Sequence, residues 1–160
     1  MSKKRIILGI DPGIADTGYG LIEIDEKGGL KHLAHGSIKT KAGLELSIRL
    51  EVINKELNEL IKEFKPSLTA VEELFFCNNV KTALVVGQAR GVVLLTARQN
   101  KLRIVEFTPL QVKQAVSSYG KASKLQVQKM VKLLLNLNDI PRPDDASDAL
   151  AVAICAANSI

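Results

Sequence analysis

The sequence predicts an α/β fold built on a five-stranded mixed sheet, and three observations carry that prediction. Three strand-like stretches come first, joined by short turns. Two further apolar β stretches follow, each after a helical pattern. The 160 residues suffice for one domain with a full-sized core but not for two comfortable ones.

Taken in order, Ile6 to Ile10 is a short β-branched run that reads as a strand buried on both faces. Asp11 stands where that run stops, and Pro12-Gly13 forces a turn. Taken alone, this peptide reads more readily as a turn capped by the Asp11 side chain than as a binding site. Thr17 to Asp25 and Leu30 to Thr40 are the second and third strands, separated by the turn signal Lys27-Gly28-Gly29. Strands joined so closely form an antiparallel meander. Leu46, Leu50, Ile53, Leu57, Leu60, Ile61 and Phe64 then recur at helical steps until Lys65-Pro66 ends the helix. Leu68 to Glu72 is a fourth strand, again ending in an acid, and after a helical crossover it should run parallel to a neighbour.

Val80 to Gln99 is predicted to be a helix apolar nearly all round, hence buried on two sides. One side can cover the sheet. The other calls for more of this chain or for a second subunit, and in so small a domain the second subunit is favoured, with Val86 and Val93 as candidate contacts. Leu102 to Phe107 is the fifth strand, Thr108-Pro109 opens a short helix to Ser117, and Ser123 caps another. After Pro141-Arg142-Pro143, a last helix runs from Asp144 or Asp145 to about Asn158, packed through Ala149, Val152, Ala153 and Ala156. No repeat or linker interrupts the chain, so residues 1–160 are read as a single domain.

Composition narrows the function classes. A hydrophobic fraction of 46% with 24% charged residues is that of an ordinary soluble globular protein. No apolar run approaches a membrane span and no signal peptide is visible, so a cytoplasmic, non-membrane protein is expected. Cys77 and Cys155 have no metal-ligand spacing and are expected as reduced thiols. The net charge of +5 is unevenly spread: from Lys81 to Lys132 ten Lys or Arg face the single acid Glu106, leaving the remainder net negative. A basic half beside an acidic site suits a polyanion gripped by one part and processed by another, although a solvated basic face has the same composition.

The acids form a pattern. Asp11 and Glu72 each close a strand, and if those strands are adjacent and parallel their carboxylates share one sheet edge. Asp145 and Asp148 are three apart on a helix, hence on one face, with the small residues Ala146, Ser147 and Ala149 allowing close approach to the sheet. Four converging carboxylates need cations among them. All-oxygen ligation suits Mg²⁺ with Mn²⁺ as a substitute, and two such ions about 3.5–4 Å apart can drive phosphodiester hydrolysis. Phe75 and Phe76 follow the second acid, and alternation would expose one ring for stacking on a base while burying the other. Lys121 and Lys124, beside Gly120 at a helix start, suit a phosphate.

Five motifs, in order along the chain, resemble those of RuvC-type Holliday junction resolvases. They are Ile7-Leu8-Gly9-Ile10-Asp11-Pro12-Gly13 with Thr17-Gly18-Tyr19-Gly20, Ala70-Val71-Glu72-Glu73-Leu74-Phe75, Gly87-Gln88-Ala89-Arg90-Gly91, Gln111-Val112-Lys113, and Asp145-Ala146-Ser147-Asp148-Ala149-Leu150-Ala151. The resemblance implies a ribonuclease H-like fold, with strands 1–3 as a meander, strands 4 and 5 parallel, and helices on the flanks. It implies a homodimer that binds a four-way DNA junction, nicks two strands of like polarity, and works with a branch-migration helicase. It places Asp11, Glu72, Asp145 and Asp148 at the metal, Phe75 against a junction base, and Lys113 and Lys124 at the DNA. Asn78 stands where some relatives carry a basic residue, and the sequence ends at Ile160 without the basic tail that some carry. Two rivals remain from the residues alone: an actin-like phosphotransferase, for which a second domain would be needed, and a junction-binding module without catalysis.

Overall fold

The computed structural model describes residues 4–73 and 79–160. Strands β1 (Arg5–Asp11), β2 (Asp16–Ile24) and β3 (Leu30–Lys39) form the antiparallel meander. β4 (Leu68–Glu72) pairs parallel with β1, and β5 (Arg103–Phe107) pairs parallel with β4, so the order across the sheet is β3-β2-β1-β4-β5. The helices are α1 (Leu46–Phe64), α2 (Val80–Gln99), α3 (Pro109–Ser117), α4 (Lys124–Leu134) and α5 (Asp144–Ala157). The expected mixed α/β sheet is therefore present, with β1 extended so that Asp11 is its last residue.

Local chemistry sets the ends of these elements. Thr108 and Ser123 each accept from the backbone three residues on while Gln111 and Gln126 reach back, so α3 and α4 both start in capping boxes. Asn79 caps α2 by accepting from the Lys81 and Thr82 amides. Lys65 ends α1 in the left-handed region at φ 51, with its N–H on the Ile61 carbonyl. The turn after β1 is tied by the Thr17 hydroxyl, which donates to the Gly13 carbonyl at 2.6 Å.

Two apolar layers lie on opposite faces of the sheet. Leu8, Ile10, Leu21 and Val71 meet α1 and α2 through Ile53, Leu57, Ala89 and Val93. Ile7, Ile22 and Ala70 meet α5, which α3 and α4 cover from outside through Val112, Val116, Val127 and Val131. The helix buried on every side is thus α5, whose residues Ala146, Ser147 and Ala149 to Ala156 are all buried. On α2 only Ala89, Val93, Thr96 and Ala97 are buried, so the sheet side is covered and the side for which a second subunit is expected stays open. The same helix corrects the reading that no stretch approaches a membrane span, because α2 reaches a mean hydropathy of 1.3 over 18 residues. Within this fold it packs on the sheet and α1 instead.

Candidate active site

The site is assembled by strand alternation and by missing side chains. Ile7, Gly9 and Asp11 point to the same face of β1, and the register sets Gly20 beside Gly9 and Gly18 beside Asp11 on β2. A Cβ on Gly9 would lie 2.0 Å from the Ala149 carbonyl oxygen, and one on Gly18 would lie 2.0 Å from that of Asp145. On Gly20 it would meet the Leu150 side chain at 2.6 Å. These glycines let the first turns of α5 rest directly on the backbone of β1 and β2. One carboxylate oxygen from each of Asp11, Asp145 and Asp148 consequently lies within 4.8 Å of the others.

Glu72 reaches the same edge by another route. β1 and β4 are adjacent and parallel, with Ile10 opposite Val71, so the two acids are the next residues on neighbouring strands. Its carboxylate does not belong to the tight aspartate triad. It lines an adjoining cleft of about 250 Å³ together with Pro109, Val112, Lys113, Lys124 and Asp148. A larger groove of about 720 Å³ on the outer side of α4, between Tyr119, Met130, Leu133 and Ile140, contains none of the acids.

The electrostatics follow from this crowding. Burial, reinforced by the charges of Asp148, Asp145 and Glu72, pushes the Asp11 carboxyl up from its usual 3.8 to about 8. Burial also raises Glu72, as does Asp148, against the opposing pull of Lys113 and Lys124. Asp148 is raised by burial too, with Lys124 working the other way. The Lys124 ammonium lies 3.5 Å from Asp148 and 3.8 Å from Asp144. Burial alone would lower its pKa, yet those carboxylates hold it above the usual value. Neither Asp145 nor Asp148 caps α5, whose N-cap Pro143 makes no side-chain cap bond, although Asp145 lies in the first turn, where the helix dipole favours a negative charge.

Such a site fits a hard divalent cation. Its donors are all carboxylate oxygens, and Asp11 retains its proton near neutrality unless positive charge arrives. The two histidines, which would favour softer ions, pair with each other at 2.8 Å on β3.

Of the residues predicted for the DNA, Lys113 and Lys124 line the cleft, whereas Lys121 is exposed in the turn before α4 and does not line it. Phe75, Phe76 and Asn78 lie outside the described residues. Sequence reasoning missed the purpose of Gly9, Gly18 and Gly20. Their signal was there, since glycines two apart on a strand clear one face only.

A family model described as crossover junction endodeoxyribonuclease RuvC matches residues 7–156. The chain belongs to the RuvC family. It is 56% identical over 156 residues to the RuvC of Halothermothrix orenii, covering 96% of this chain and 93% of that one. It is 54% identical over 149 residues to that of Caldicellulosiruptor saccharolyticus, covering 93% and 90%. Among solved structures, Thermus thermophilus RuvC in complex with a Holliday junction substrate superimposes with a TM-score of 0.92 at 34% identity, covering 97% of this chain and 94% of that one. The yeast mitochondrial Holliday junction resolvase shares the fold, with a TM-score of 0.68 at 15% identity over 95% and 78% of the two chains. The fold is therefore the ribonuclease H-like one, and the chain is a member of an endonuclease family.

Proposed function

We propose that this chain is a metal-dependent endonuclease that resolves four-way DNA junctions by paired, symmetric nicks in strands of like polarity. The observation that carries the reading is the three aspartates converging within 4.8 Å beside Glu72, in a chain of this family. Asp11, Asp145, Asp148 and Glu72 would hold Mg²⁺, or Mn²⁺ in its place, in a two-ion site. Such ions supply the charge that activates a water and stabilises the leaving oxygen of a phosphodiester. The protein's own part is positional. β1 and α5 hold three carboxylates at fixed spacing, while Lys113 and Lys124 offer cationic groups to the phosphate backbone beside them. Residues 1–160 act in this reading as one nuclease domain in the cytoplasm, with Lys121 and Phe75 as further DNA contacts. A branch-migration helicase as partner rests on family membership alone.

The deciding experiment incubates a labelled four-way junction with the protein and Mg²⁺, with EDTA as control. Paired nicks that vanish in EDTA are expected, while Glu72→Gln, Asp145→Asn and Asp148→Asn should bind the junction yet cut it at least about a hundredfold more slowly. A junction shifted but uncut by the natural chain would leave only a binding module.

Paired incision calls for two sites, and α2 offers the surface for a second copy. Val80, Leu84 and Leu95 are 72%, 64% and 57% exposed along one stripe. Between them lie Gly87 and Gly91, where an added Cβ would meet no described atom within 4 Å. A helix-interior glycine costs about 1 kcal/mol relative to alanine, and packing within the described chain does not call for either one. Close approach of a second α2 would. Of the two candidate contacts, Val93 is corrected: it is fully buried in the core, so its substitution would probe folding. Leu84→Glu should instead convert a sedimenting dimer to a monomer with little change in melting. A natural chain that sediments as a monomer at micromolar concentration would remove the dimer.

A further inference from the structure

We infer that Arg90 is a positioning residue for Glu72, gripping the end of β4 from the face of the sheet opposite the acids. Gly87-Gln88-Ala89-Arg90-Gly91 was singled out in the sequence, and nothing in the nuclease chemistry above accounts for its arginine. Arg90 lies midway along α2 with its side chain only 13% exposed. One guanidinium nitrogen, Nη1, donates to the Glu72 carbonyl oxygen, and the other, Nη2, donates to the Glu106 carboxylate. Burying a guanidinium is costly, and these two charge-assisted bonds offset the cost.

The direction of the grip gives it meaning. Val71 packs in the same apolar layer as Ala89 and Val93 of α2, so the next residue, Glu72, sends its side chain to the other face, towards α5. The β1–β4 pairing ends at Ile10 opposite Val71, one residue short of the two acids. Glu72 therefore lies just past that ladder, where Arg90 provides its carbonyl with a donor. Glu106, opposite Val71 on β5, fixes the far side of the guanidinium. A planar fork can serve both acceptors at once, which a lysine ammonium on a flexible stem does less well. The seating of α2, the helix with the open stripe, is thus transmitted to an acid of the site.

The inference rests on the reading of Glu72 as a metal-site acid, and the test separates the two. Mn²⁺ affinity of the DNA-free protein is measured by calorimetry for the natural chain, Arg90→Gln, Arg90→Lys and Glu106→Gln. The Mg²⁺ dependence of junction cleavage, junction affinity in EDTA and melting are measured beside it. Arg90→Gln should weaken Mn²⁺ binding and raise the half-saturating Mg²⁺ by roughly tenfold, as loss of an outer partner of a metal ligand does. Cleavage should recover at high Mg²⁺, with junction affinity in EDTA unchanged. Arg90→Lys and Glu106→Gln should shift the same quantities by less. If the natural chain neither binds Mn²⁺ nor cuts, the nuclease reading fails. If it does both and Arg90→Gln matches it in Mn²⁺ affinity and Mg²⁺ dependence, the positioning role is overturned, whatever the melts show. Should Arg90→Gln not fold, Glu106→Gln decides by the same criteria.

Discussion

In the absence of divalent ions Asp11→Asn should melt at a higher temperature than the natural chain, while losing junction cleavage. In the folded protein the Asp11 carboxyl titrates at about 8, against the usual 3.8 that the unfolded chain has. The folded state therefore holds a proton that the unfolded state releases across that interval. Stability contributed by the neutral carboxyl is fully present below about pH 4 and is lost as pH rises through about 8. A shift of this size corresponds to at most about 6 kcal/mol, on the order of ten degrees of melting temperature in a chain of this length. Asparagine keeps the shape and never ionises, so the penalty disappears. Mg²⁺ should stabilise the natural chain, more at about pH 8 than at about pH 6, because its binding must displace that proton. It should affect the Asn variant far less. Melts across this range in EDTA and in Mg²⁺ make the test, and a variant that melts lower than the natural chain near pH 8 in EDTA would refute the account.

Gly18→Ala should cripple the site without touching any acid. The added Cβ would stand 2.0 Å from the Asp145 carbonyl oxygen and 2.3 Å from its carbon. Those are backbone atoms in the first turn of a buried helix, with no rotamer to yield. The N-terminus of α5 must lift from β2, carrying Asp145 and Asp148 away from Asp11. A displacement of about 1 Å in a positioned catalytic group costs around a hundredfold in rate, and overpacking of this kind costs roughly 1–3 kcal/mol of stability. Junction binding should persist, since the lysines of the cleft sit on α3 and α4. Cleavage rate, Mn²⁺ affinity and melting temperature should all fall together. Cleavage at the natural rate would mean that α5 is not held at this point.

The order of the elements was legible because its signals are local. Alternation, helical spacing and the breakers Pro66, Gly120 and Pro141 act within a few residues, and β4 and α2 occupy the stretches their patterns mark. The pattern of acids was legible for the same reason: each closes a strand or opens a helix. Burial was less so. An apolar helix looks alike in sequence whether its own chain covers it or not, so periodicity did not show that α5 is buried nearly throughout while α2 keeps one side open.

What the sequence determined by itself is the set of parts: five strands, five helices, acids at three ends, and the motifs of a junction endonuclease family. Tertiary structure alone decided how near those parts come. Asp11 and Asp145 are separated by most of the chain, and their distance is set by how deeply α5 sinks onto Gly9, Gly18 and Gly20. The same holds for Arg90, whose hold on Glu72 exists only because α2 crosses behind β4. Periodicity reports which face of an element is apolar. The depth and register at which two faces meet depend on side chains from both, and no local pattern contains both.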